Sequence, residues 1–110
     1  MKKNYLECRV PRVRTRRGRC YELALKGMMR SPRWLLVHGY FDCRGAMVGH
    51  AWLFCEGKIF CPTMDRLFHE PTYYAKHQTV PIVTYTVREA AKMAIRYKHY
   101  GPWIEAEKLL

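Results

Sequence analysis

The stretch MVGHAWLFCEGKIFC, residues 47–61, decides the fold. Residues 47–55 and 58–61 are rich in β-branched and aromatic side chains and read as two strands. Glu56-Gly57 between them is a connection of hairpin length. Working outward, WLLVHGY at 34–40 supplies a strand ahead of the hairpin. Residues 80–85 supply a fourth, and Pro81 places it at a sheet edge, because proline has no N–H to offer a neighbour. Upstream, CYELALKGMMR at 20–30 sets Leu23, Ala24, Leu25, Met28 and Met29 so densely that it reads as a largely buried helix. Ser31-Pro32 closes it, since a residue before proline disfavours the helical region. Downstream, Thr86 with Glu89 forms a capping-box signature, and Val87, Ala90, Ala91, Ala94 and Tyr97 recur at helical spacing until a stop near Gly101-Pro102. The expected fold is α+β: an N-terminal helix packed on an antiparallel sheet, followed by a further strand and helix.

The chain has 110 residues, 49% of them apolar, which suits one domain with a real core and excludes both a two-domain enzyme and disorder from apolar poverty. Lys and Arg number 20 against 9 Asp and Glu, a net charge of +11. Much of that excess lies in residues 1–17, a basic arm that contains Pro11 and lacks an apolar helical face. Residues 18–110 form the domain proper. Arg9, Arg12, Arg14, Arg16, Arg17 and Arg19 read either as a solvated tail or as a strip for nucleic acid. No window is apolar enough for a signal peptide or a membrane span, so the expected location is the cytoplasm, without membrane partners.

Cys8, Cys20, Cys43, Cys55 and Cys61 are odd in number and include no C-x-x-C pair, which argues against a disulfide framework. Zinc on some of Cys43, His50, Cys55 and Cys61 would need a spacing that matches no common knuckle, so no metal or cofactor is expected. Cys20 is different in kind. It opens the first helix, where unpaired backbone N–H groups and the positive end of the dipole favour a thiolate. His50 lies on the strand at 47–55, and an imidazole facing a helix-start cysteine can take the thiol proton. The plainer alternative is an inert buried thiol beside a satisfied histidine.

Gly18-x-Cys20-x-x-x-Ala24, then Val37-x-Gly39-Tyr40, Gly49-His50-Ala51-Trp52 and Cys61-Pro62-Thr63 together resemble the core of the transglutaminase-like superfamily of papain-type folds. The resemblance covers residues 18–63. It implies a papain-like minimal core in which a cysteine opens the helix, a histidine stands in an H-A-W strand and an aspartate begins D-P-T. It implies a Cys–His–Asp triad for acyl transfer on protein or peptide amides: proteolysis, deamidation or crosslinking through a thioester. Cys61 stands where that pattern has Asp, and a thiol is a weak acceptor, largely neutral near pH 7. Three outcomes follow: a Cys20–His50 dyad, a carboxylate recruited from Asp42, Asp65 or Glu56, or a fold that has lost its chemistry. The last would be a binding module or inhibitor gripping nucleic acid or an acidic protein, as small phage factors do. Trp52 reads as core, as do Tyr73-Tyr74 and Gly101-Pro102-Trp103, expected to pack the second helix on the sheet. His38, His69, His77 and His99 read as ordinary surface or core residues.

Overall fold

A computed structural model describes residues 19–43 and 45–103. The dense apolar run after Arg19 forms α1 (Cys20–Arg30), followed by β1 (Leu35–Cys43), β2 (Ala46–Cys55) and β3 (Lys58–Cys61). The β2–β3 hairpin turns at Glu56 and Gly57, with φ of 49° and 79°. Two consecutive left-handed residues match the twist of the strands they join. The strand expected at 80–85 is β5 (Thr79–Tyr85), and the capped helix is α3 (Val87–Tyr97). Two elements escaped the sequence reading: β4 (Arg66–His69) and α2 (Glu70–His77). Four residues are too few for a strand period to show, and Pro71, a breaker on paper, sits in the first turn of α2, where its missing N–H costs nothing.

The strands form one five-stranded sheet in the order β4-β3-β2-β1-β5. All neighbouring pairs are antiparallel, and β5 takes the edge that Pro81 required. This is the α+β architecture, with the cysteine-bearing helix packed on an antiparallel sheet. Because side chains alternate across a strand, the sheet buries two cores. On one face Leu36, Ala51, Leu53 and Phe60 pack under Ala24, Leu25 and Met28 of α1, Ala90 of α3, and Trp103. On the other, Val37, Trp52, Ile59 and Cys61 pack under Tyr73 of α2. Tyr73 therefore does not fasten α3 to the sheet; it belongs to a helix of its own on the opposite face. Trp103 does pack with α3.

The start of α3 carries the full capping box: Glu89 N–H donates to Thr86 Oγ1 at 3.2 Å, and Thr86 N–H donates to Glu89 Oε1 at 2.9 Å. Thr86→Ala should lower stability by about 1 kcal/mol in urea melts. Unchanged melts would mean the box contributes nothing. α3 ends at Tyr97 with Lys98 in the left-handed region, short of Gly101-Pro102. Arg9, Arg12, Arg14, Arg16 and Arg17 lie outside the described residues. Arg19 is engaged locally, its guanidinium meeting both Glu22 oxygens at 2.9 and 2.6 Å. Among the described residues no helix is long and apolar enough to cross a membrane.

Candidate active site

β3 pairs with β2 only over Leu53–Cys55, so the earlier part of β2 has no β3 partner, and the start of α1 meets it there. The backbone N–H groups of Ala51, Tyr21 and Cys20 itself lie near the Cys20 sulfur and favour a thiolate. Burial outweighs them. Cys20 is 9% exposed, and desolvation pushes its thiol above the ordinary value. The thiolate expected from the helix start alone is therefore not what the buried setting favours, because removing a thiolate from water costs more than these N–H groups return.

His50 precedes Ala51 and points to the other face of the sheet, its ring lying between Phe41 (centroids 5.2 Å) and Trp52 (5.6 Å). Its Nε2 lies 3.0 Å from Tyr73 Oη and 3.5 Å from Cys61 Sγ, and the Tyr73 hydroxyl donates to Cys61 Sγ at 3.5 Å. Burial lowers the imidazole pKa to about 4, with nearby His77 acting in the same direction, so the ring is neutral at pH 7. Burial also raises the Cys61 thiol, against the Tyr73 hydrogen bond.

Position 61 thus meets His50. No hydrogen bond joins Cys20 to His50 among the described residues. The expected facing of the two allows hydrogen-bond reach or slightly beyond. Such contacts are often loose without substrate and tighten when it binds. Asp42 and Glu56 have other partners. Asp42 accepts from Gly45 N–H at 2.8 Å, and Glu56 faces Arg33 at 3.3 Å. Asp65 sits in the turn after Cys61, at φ 55°. No carboxylate among the described residues hydrogen-bonds His50. Trp52 is fully buried core, and Cys55 is a half-buried free thiol. No group of three or more His, Cys, Asp or Glu among the described residues is arranged to hold a metal ion.

Two cavities adjoin the site. One, about 190 Å³, is lined by Phe41, His50, Cys61, Thr63, Tyr73 and His77. The other, about 240 Å³, reaches Tyr21 and Gly49, the chain neighbours of Cys20 and His50, with His38 also in its wall. His38 is a core residue, 2% exposed and boxed by Tyr21, Tyr85 and Trp103. The neighbour of His50 that sequence reasoning passed over is Tyr73. Its signal was Pro71 opening a short helix, but only the fold brings the hydroxyl to His50. No known protein family, curated protein or solved structure matches the chain.

Proposed function

We propose that the chain is a thiol-dependent acyl-transfer protein, a hydrolase or acyltransferase acting on amide bonds of a protein or peptide. More particularly, we read it as a minimal transglutaminase-like domain whose acid position holds a cysteine. One observation carries this reading: the helix-start thiol of Cys20 seats on the backbone of Ala51, next to a neutral His50 whose Nε2 is already engaged by Tyr73.

In the reaction, His50 Nδ1 takes the Cys20 proton as the sulfur bonds to the acyl carbon. The backbone N–H of Cys20 helps to hold the oxyanion. The C–N bond then breaks, His50 returns the proton to the leaving amine, and a thioester remains on Cys20. Water or an acceptor amine attacks the thioester and gives its proton to His50, which passes it on to the departing thiolate of Cys20. Neutral groups start this cycle, so an ion pair is not required.

The base must be unprotonated, and its pKa of about 4 keeps it so well below the usual imidazole range. An acid limb near 6.5 should therefore be absent, and the acylation rate should fall only where the fold itself gives way to acid. Treating the full chain with p-nitrophenyl acetate from pH 4 to 8, followed by peptide mass mapping, tests this. The acetyl group should appear on Cys20 first, vanish in Cys20→Ala and form about 10²-fold more slowly in His50→Ala. Burial of Cys20 with its raised thiol pKa favours the competing reading, a silent copy of the fold acting as a basic binding module. Cys20 acylated no faster than Cys55, or a rate indifferent to His50→Ala, would decide for that module.

A further inference from the structure

We infer that Tyr73 is the positioning residue of this site: its hydroxyl stands in for the missing carboxylate and holds His50 as the tautomer whose Nδ1 is a free base. The inference rests on the roles proposed for Cys20 and His50. A neutral imidazole carries one N–H, and which nitrogen bears it is set by the partner of the other. Tyr73 donates its own proton to Cys61 Sγ at 3.5 Å, so the Tyr73 oxygen is left to face His50 Nε2, at 3.0 Å, with its lone pairs. That contact is satisfied when Nε2 carries the proton. In the opposite tautomer Tyr73 would have to turn its proton away from Cys61. Without that turn, the Tyr73 oxygen and a bare Nε2, 3.0 Å apart, would face each other lone pair to lone pair. Two buried acceptors opposed in this way are the more costly arrangement.

Cys61 cannot do this alone. Its sulfur lies 3.5 Å from Nε2 and is a weak acceptor. It serves as the sink for the Tyr73 proton and so gives the chain His50 Nε2–H to Tyr73 O–H to Cys61 Sγ its direction. Tyr73 is held in place for the purpose. It is 1% exposed, with its ring 5.7 Å from Trp52, 5.1 Å from Phe68 and 5.3 Å from His77, on a helix closed by a left-handed Gln78. A hydroxyl differs from a carboxylate in one respect. It orients the ring without a charge to stabilise an imidazolium, which fits a site that starts from a neutral thiol and a neutral base.

The test is ¹⁵N NMR of His50 in the full-length chain at pH 7, with acylation by p-nitrophenyl acetate measured in parallel. Wild type should show the proton on Nε2. Tyr73→Phe keeps the ring and its packing and removes only the hydroxyl; it should release His50 into a mixture of tautomers and slow acetylation of Cys20 about 10²-fold, the lower end of what a positioned general base contributes. Cys61→Ser keeps an acceptor for the Tyr73 proton and should leave the tautomer as it is. A wild-type ring protonated on Nδ1, or a tautomer unchanged in Tyr73→Phe, overturns the inference. A ring that follows Tyr73 in a protein whose Cys20 takes no acetyl group would support the role of Tyr73 and overturn the acyl-transfer reading instead.

Discussion

Gly39→Ala will cost the protein about 3 kcal/mol or more and lower its thermal midpoint by roughly 10 °C or more, because the added methyl has nowhere to go. A Cβ at Gly39 would stand 2.1 Å from Val80 O, 2.8 Å from Trp52 Cη2 and 3.0 Å from Pro81 Cα. Two of those atoms are backbone and cannot swing aside. The third belongs to a fully buried tryptophan packed against Tyr73. The register of β5 on β1 shifts between His38 and Gly39, which brings Pro81 opposite Gly39. The methyl must therefore push β5 off the sheet or push Trp52 into the core beneath α2. Gly57→Ala is the comparison. Gly57 has φ of 79° with open space around its would-be Cβ, so that change strains one turn by about 1–2 kcal/mol and displaces nothing. Circular-dichroism melts of both variants decide the matter. A Gly39→Ala midpoint within about 3 °C of wild type would show that β5 does not lie over Gly39 as described.

Acid should unfold the protein well above the pH at which carboxylates usually do so. Burial holds both His38 and His50 at about 4 in the folded state, against an ordinary value of 6.5. Both are almost wholly buried, at 2% and 8% exposed. A lowered histidine pKa means that the unfolded chain takes up the proton first. Stability is therefore complete above about pH 6.5, falls as pH drops from 6.5 toward 4, and levels off once the folded state is protonated too. Each histidine removes roughly 3 kcal/mol over that window, and two together approach the whole stability of an ordinary domain. Urea melts at pH 7.5, 5.5 and 4.5 should show the midpoint dropping steeply. His38→Phe, which keeps a ring in the box of Tyr21, Tyr85 and Trp103, should remove about half the slope. A stability flat from pH 7.5 to 4.5 would mean that these rings titrate normally in the folded chain.

Helices α1 and α3 and the hairpin of β2 and β3 were legible in the chain because their signals are local. An apolar period of 3.6, a Thr86–Glu89 capping box and a Glu56-Gly57 turn each act within a few residues. The same holds for Pro81, whose missing N–H assigns β5 to an edge wherever the rest of the sheet lies. Cys20 at a helix start and His50 on a strand were legible for that reason, whereas Cys61 was singled out by resemblance alone. What the sequence could not contain is which groups burial leaves charged and which long-range partner reaches Nε2. His50 is held neutral because two layers close over it, and desolvation depends on all the atoms around it at once. Tyr73, 23 residues further along, reaches it because β3 stops at Cys61, β4 turns back, and α2 lies across the face of the sheet opposite α1. Each of those steps is a packing choice among distant segments. The pairing of a hydroxyl with an imidazole is therefore decided by the tertiary structure, where solvent exclusion and sheet order act together.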